Sequence, residues 1–564
     1  MVKVRLSRSN VREVVEGTPI CELIPAGQPI IAAKLDGELV GLNTPLTADA
    51  KLEYVLATDV EGLRVHHESL IYVLTMAAHR AFPDSRLVVE HSTSKGFYCT
   101  LRMKDRRMEK RDVELLEAEM LGLMADDMDI YSELVEREDL EKVCAGNGNF
   151  SKLSLLEYAK KDHYYIHKCS DFADWSRGPL VPSTGSLATF ELRYYPPGFI
   201  LRFPTPISFP ELPPFVEQPK LFLVFHHYEE WGEALGISDI GQLNRQIKDH
   251  KSAELVNIAE ALHEKAIARI ADRIARTPIL PRIVLIAGPS SAGKTTFAKR
   301  LAVHLRVNGL RPLPLSVDDY FLDRSRTPLD IEGKPDFETL EAVDLEFFNQ
   351  QLVLLLEGKT VDRPRFDFEK GRRYFDGTTL SLAPDEILIV EGIHALNPRL
   401  TSAVPKHLKF RVYVSALTQL NYHDQRMVST SDTRMLRRMM RDYSYRDHTP
   451  TETLERWPSV RRGEELNIFP YQETADEMFN SALIYELAVM RNQAMKLLRT
   501  VRAKGHKAEA QRMLDLLELV MPMDDDAVPP ASILREFVGE SIFRKRPNSN
   551  NNYKKTTNKK TRSS

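Results

Sequence analysis

Gly288-Pro289-Ser290-Ser291-Ala292-Gly293-Lys294-Thr295-Thr296 fits the spacing G-x-x-x-x-G-K-[ST]. Upstream, Arg282-Ile-Val-Leu-Ile-Ala287 is a short apolar run that reads as a buried parallel strand, and downstream Phe297 to Val307 has helical spacing. Strand, glycine-rich loop and helix, in that order, make the motif a phosphate-binding loop. The chemistry calls for these residue types. Glycines let backbone N–H groups close around phosphate oxygens, and the N-terminus of the following helix adds partial positive charge. Lys294 reaches the β- and γ-phosphates and the Thr295 hydroxyl ligates Mg²⁺. Residues 288–296 are therefore the expected nucleotide site, with ATP and Mg²⁺ as the expected cofactors.

Further apolar strands lie beyond the loop. Pro314-Leu-Ser-Val-Asp318-Asp319-Tyr320 ends in two carboxylates, and Glu386-Ile-Leu-Ile-Val390 ends in Glu391-Gly392. In an open α/β sheet, ligands gather at the carboxyl ends of the strands. Asp318 is placed there to accept the proton of an attacking hydroxyl, and Glu391 to hold Mg²⁺ with Thr295. Singly, each acid is as well explained as a helix cap or turn residue. Three strands that end in the loop, an Asp and a Glu point to one site. Later, Asp432-Thr-Arg434-Met-Leu-Arg437-Arg438-Met-Met-Arg441-Asp-Tyr-Ser-Tyr-Arg446 sets arginines at helical spacing. Such a run is either a solvated, ion-paired helix or a lid that clamps triphosphate. The phosphate-binding loop favours the lid.

The composition bounds the rest. The 564 residues suit three or four domains, and the 43% hydrophobic and 28% charged content is that of a globular chain. A net charge of −3 argues against a protein whose main business is coating nucleic acid. Cys21, Cys99, Cys144 and Cys169 are widely spaced, with no C-x-x-C pair, as expected for reduced thiols and no zinc site. Met1-Val-Lys-Val-Arg-Leu shows no signal-peptide core and 18 apolar residues never run together, so a cytoplasmic protein without a membrane partner is expected.

Residues 1–62 alternate apolar and polar residues between turns such as Asp36-Gly37, the pattern of a small β module. Residues 63–204 open with a helix, His67 to Ala81, followed by a strand from Arg86 to His91. An acidic helical stretch is expected from Val113 to Glu141, and strands after Tyr164. Prolines crowd residues 203–219. The span 205–280 reads as a linker with a strand at Leu221 to Phe225 and one long amphipathic helix, Ala253 to Arg276. Residues 281–486 form the nucleotide-binding body, residues 487–540 C-terminal helices broken near Lys504-Gly505, and residues 541–564 a basic tail expected to be disordered.

Three resemblances attach to these residues. The first module, with its closing Asp59-Val-Glu-Gly62, resembles the TGS domain, a ubiquitin-like β-grasp. Ser69, Phe82-Pro83, Gly96-Phe97-Tyr98 and Ser176-Arg177-Gly178-Pro179 resemble the second additional domain of threonyl- and alanyl-tRNA synthetases. That domain edits mischarged tRNA through H-x-x-x-H and a distant C-x-x-x-H. Here those four positions hold Glu68, Tyr72, Ser176 and Leu180, so a retained fold without the editing chemistry is expected. The nearby His66, His67, His79 and His91 read as hydrogen-bonded or surface histidines rather than a rebuilt metal site.

The stronger resemblance is to the uridine kinase/phosphoribulokinase family, over Arg282 to Glu486. Its motifs here are Ser316-Val-Asp318-Asp319-Tyr320-Phe321, Phe337-Glu338, Pro364-Arg-Phe366-Asp367-Phe368, Val390-Glu391-Gly392-Ile393, the arginine helix and Ala475-Asp476…Asn480-Ser-Ala-Leu483. The resemblance implies roles. Asp318 is the catalytic base, Lys294 and the lid arginines Arg441 and Arg446 face the phosphates, and Glu338 and Arg438 hold ribose hydroxyls. At the base-reading positions stand Phe366, Gly371, His448 and Arg456, each changed from the family's residue, which puts uridine in particular in doubt.

The expected architecture is a multidomain α+β and α/β chain. It comprises a β-grasp module, a synthetase-like α+β domain and a P-loop kinase with a mostly parallel sheet flanked by helices. The expected activity is ATP-dependent phosphorylation of a nucleoside 5′-hydroxyl, in a homo-oligomer. The alternatives are a kinase for a sugar or sugar phosphate, and an RNA-linked regulatory ATPase. The latter would contact nucleic acid through its N-terminal half or basic tail.

Overall fold

The computed structural model describes residues 1–6, 10–25, 27–187, 189–331 and 333–543. The N-terminal alternation folds into a mixed sheet of β1 (Val2–Arg5), β2 (Val11–Val14), β3 (Ile30–Leu35), β4 (Glu38–Val40) and β5 (Ala50–Leu56). Their order is β2-β1-β5-β3-β4, with β1 parallel to β5 and the other pairs antiparallel. Val2 and Val4, two apart on β1, turn the same way into a small core with Ile20, Leu42, Leu46 and Leu52.

The second region runs α1 (Val60–Ala81), β6 (Arg86–Thr93), β7 (Gly96–Arg102), α2 (Lys110–Ala125), β8 (Tyr131–Glu136), α3 (Arg137–Gly146), α4 (Phe150–Leu156), β9 (His163–Cys169), β10 (Phe172–Trp175), β11 (Glu191–Tyr195) and β12 (Gly198–Arg202). Two antiparallel sheets result, β11-β12-β7-β6 and β10-β9-β8. The helix expected from Val113 to Glu141 is thus three elements. Asp127, at φ +45°, takes a conformation that α-helix forbids, and Tyr131–Glu136 then pairs along β9.

The span expected as linker is largely helical: α5 (Pro219–Ala234), α6 (Ile240–Lys248) and α7 (Ser252–Ala275). Leu221 to Phe225 is the start of α5, not a strand. Pro219 suits a first helical turn, and Leu221, Phe222, Phe225, Tyr228 and Gly232 form its buried face at steps of three and four.

The nucleotide-binding body follows as β13 (Ile283–Ala287), α8 (Lys294–Val307), β14 (Arg311–Ser316), α9 (Leu345–Leu356), β15 (Val361–Asp367), β16 (Arg372–Leu380), β17 (Glu386–Glu391), β18 (Lys409–Ser415), β19 (Asn421–His423), β20 (Arg426–Met427), α10 (Thr430–Tyr445), α11 (Pro450–Asn467) and β21 (Glu477–Asn480). It is continued by α12 (Glu486–Leu498), α13 (Lys504–Glu518) and the short α14 (Arg535–Val538). The central sheet, β14-β17-β13-β18-β21, is parallel throughout. Every residue of β13 is buried, as a strand covered on both faces requires.

One apolar core crosses from the second region into this body, joining Leu140, Tyr164 and Trp175 to Val284, Phe297 and Met435. Among the described residues no helix is long and apolar enough to cross a membrane. The basic tail lies outside the described residues from position 544 onward.

Candidate active site

The carboxyl ends of β13, β14 and β17 lie side by side, because β17 pairs with both of the others. The loop after β13 is forced to be glycine at its ends. A Cβ at Gly288 would fall 1.9 Å from the Val414 carbonyl oxygen, and Gly293 takes φ +78° as it starts α8. Lys294 is buried and its Nζ donates to the Pro289 carbonyl at 3.0 Å, curled over the loop. Burial lowers its ammonium, while Glu391 and Asp318 oppose that shift. These three side chains therefore share one electrostatic site.

Thr295 Oγ1 donates to Glu391 Oε1 at 3.4 Å, and Ser316 Oγ donates to the same oxygen at 3.1 Å. Burial, and then the Asp318 charge, raise the Glu391 carboxyl to about 7. Two acids facing one buried lysine leave negative charge that a divalent cation would neutralise, so Thr295 and Glu391 fit Mg²⁺. Among the described residues no cluster of three or more His, Cys, Asp or Glu could hold a metal.

The arginine helix divides by depth. Arg434 and Arg437 are wholly buried and grip the loop's backbone. Arg434 Nε donates to the Ser290 carbonyl at 3.0 Å and pairs with Glu464, whose Oε1 accepts the Ser290 N–H at 3.1 Å. Arg437 pairs with Glu486 and donates to the Ser481 carbonyl at 2.8 Å. Neither belongs to a lid. Arg438 Nη1 reaches Ser290 Oγ at 2.7 Å and lies 3.8 Å from Glu338. Arg441 and Arg446 share Asp442, at 2.7 and 3.6 Å. Arg441, with burial, lowers the Arg446 guanidinium to about 10. Arg438, Arg441 and Arg446 thus crowd together with more positive charge than their acids offset, a setting that favours an anion.

On the acceptor side, Phe366 stands among Phe321 and Phe368, with ring centroids 5.9 and 5.2 Å away, and Arg446 lies over the Phe368 ring at 5.4 Å. The space beside Gly371 is filled by Arg324, whose Nε would lie 2.7 Å from a Cβ there. His448 and Arg456 lie against each other, 3.3 Å apart. Glu464, Glu486 and Arg324 had no sequence signal, since each acts on a partner far along the chain.

Of the four editing-type positions, Ser176 and Glu68 meet, while Tyr72 and Leu180 have other partners. Ser176 Oγ donates to Glu68 at 3.2 Å, Tyr72 donates to the His167 carbonyl at 3.1 Å, and Leu180 is buried. Arg426, on the β19–β20 hairpin of the nucleotide-binding body, lies 3.3 Å from Glu68. Burial holds His66 at about 4 and His67 at about 3, so both rings are neutral. His67 packs on Phe203, His79 on Phe172, and His91 pairs with Glu229 at 2.5 Å.

Residues 283–484 match the model of the Phosphoribulokinase / Uridine kinase family. The threonine–tRNA ligase of Pelobacter propionicus is 30% identical over 196 residues, which are 34% of this chain and 31% of that protein. The chain thus spans about a third of the length of the curated relatives it matches. Among solved structures, a putative fructose transport system kinase from Silicibacter sp. TM1040 aligns with a TM-score of 0.29 and 19% identity, over 38% of this chain and 98% of that one. A possible uridine kinase from Bacillus stearothermophilus aligns at 0.27 and 18%, over 38% and 98%. Residues 283–484 of this chain are thus similar to the phosphoribulokinase/uridine kinase family, and its N-terminal half is similar to threonyl-tRNA synthetases.

Proposed function

We propose that this protein transfers the γ-phosphoryl of ATP to the 5′-hydroxyl of a nucleoside. The observation that carries this reading is the meeting of Lys294, Asp318 and Glu391 at three strand ends beside the phosphate-binding loop. Loop N–H groups and Lys294 hold the phosphates. Asp318 takes the proton of the acceptor hydroxyl. Glu338 and Arg438 hold the acceptor's neighbouring hydroxyls, and the ring of Phe366 lies against its base. Arg441 and Arg446 neutralise charge on the transferring group. Mg²⁺, held by Thr295 and Glu391, would supply further charge neutralisation on the phosphates. Catalysis is positioning and electrostatics, with no covalent intermediate.

The test is ATP consumption by purified protein over a panel of nucleosides, sugars and sugar phosphates, with products identified by mass. A nucleoside 5′-monophosphate is the expected product. Lys294→Ala and Asp318→Asn should each lower turnover by at least ~10²-fold with the melting curve retained. Full activity in either variant overturns the assignment, and a phosphorylated sugar as sole product moves the acceptor to that class.

A further inference from the structure

The segment after α13 returns to the phosphate-binding loop. Thr296 Oγ1, in the first turn of α8, donates to Glu536 Oε2 at 2.7 Å. Ile533 lies over Gly293, with its Cγ2 2.5 Å from where a Cβ would stand. Both Ile533 and Phe537 are fully buried, and Phe537 lies beneath Arg437, 4.9 Å from the guanidinium. At the far end, Lys299 Nζ donates to the Phe543 carbonyl at 2.6 Å. Arg535 ties the segment to the turn before it, donating to the carbonyls of Asp525 at 2.6 Å and Val528 at 2.8 Å.

This places a carboxylate at the helix end where free N–H groups, the Thr296 hydroxyl and Lys294 gather phosphate. The Glu536 charge acts on both Lys294 and Glu391, so it sits within the phosphate cradle's field. A triphosphate brought to the same donors would meet a like charge at close range. Glu536 is linked to the loop by the Thr296 hydrogen bond, and the Arg535 bonds to Asp525 and Val528 anchor the segment to the turn from which it would swing.

We propose that residues 529–543 are an autoinhibitory latch. Glu536 stands where a nucleotide phosphate would bind, and the segment lifts from Gly293 and Thr296 when nucleotide enters. The inference rests on the kinase reading above and concerns the regulation of that same site. Its consequence is quantitative, because a site that is open only part of the time binds with an affinity reduced by the open fraction.

The experiment uses the full chain. Calorimetric titration with Mg²⁺ and a non-hydrolysable ATP analogue compares wild type with Glu536→Gln, which keeps the size and the acceptor oxygen but removes the charge. Hydrogen exchange of residues 529–543 is followed with and without the analogue. The latch predicts about tenfold tighter binding by Glu536→Gln, and faster exchange of 532–538 in wild type when the analogue is bound. Equal or weaker binding by the variant, or slower exchange on binding, overturns the latch and makes the segment a fixed wall of the site. Nucleotide binding by wild type then keeps the kinase reading standing alone. Failure of both proteins to bind the analogue removes the kinase reading and the latch together.

Discussion

Burial lifts the Glu338 carboxyl to about 7, against the pull of Arg438 3.8 Å away. In the unfolded chain the same group titrates near 4.5. Between those values the folded protein keeps a proton that the unfolded chain has lost, so stability falls as pH rises through the window and levels off above it. Glu338→Gln removes that penalty. The variant should be more stable than wild type at pH 8, by on the order of 3 kcal/mol, and equal to it near pH 4. Thermal melts at the two pH values check this, and equal midpoints at pH 8 would show that the buried charge carries no cost. The same titration should appear in acceptor binding, because only the ionised carboxylate accepts hydrogen bonds from two hydroxyls. KM for the acceptor is expected to fall between pH 6 and 8 in wild type and to stay flat in the variant.

At the scale of elements, α10 does two jobs, and its arginines should separate them. Arg434→Ala strands Glu464 in the core without its main cation, at a cost of about 3–5 kcal/mol. Arg446→Ala removes a guanidinium that is about a third exposed and braces Asp442 and the Phe368 ring, so it should cost under ~1 kcal/mol of stability but lower kcat ~10²-fold or more. Melting and turnover, measured on both variants, test the division, and a stable, inactive Arg434→Ala would refute it. Helical spacing showed that these arginines share a face, but not what that face meets. The loop, Asp318 and Glu391 were legible because each closes an apolar strand, and parallel pairing sets those strand ends together whatever the loops between them do. Glu464 and Glu536 reach the loop from 174 and 240 residues away, with no local pattern to announce them. Leu221 to Phe225 misled for a related reason. A short apolar run has no period long enough to separate strand from helix, and only the Pro219 start and the later Tyr228 and Gly232 reveal the helical step.

Across the whole molecule, the N-terminal half is bound to the nucleotide-binding body through α10 and the hairpin before it. Arg512 on α13 donates to Asp432 in the first turn of α10 through two bonds of 2.7 Å and also holds Glu509, which accepts from Arg64 on α1 at 2.8 Å. The hairpin docks more closely still. Val89 on β6 donates its N–H to the Asp424 carbonyl at 2.7 Å, Asn421 returns a bond to the Val89 carbonyl at 2.9 Å, and Arg86 clasps the Asp424 carboxylate with two bonds of 2.6 Å. Asp424 is only 5% exposed, so this ion pair is one whose loss leaves a charge buried. With a core that also crosses the junction, the described residues should unfold as one unit. Arg86→Ala is therefore expected to lower the melting midpoint and to split a single calorimetric transition into two, the N-terminal half melting first. Asp424→Asn alone should cost less, since it removes the charge along with the partner. In a double-mutant cycle the pair should show a coupling of about 1–3 kcal/mol. Additive effects in that cycle, with one transition throughout, would mean that the apolar core alone joins the two halves and that the hairpin merely rests on β6.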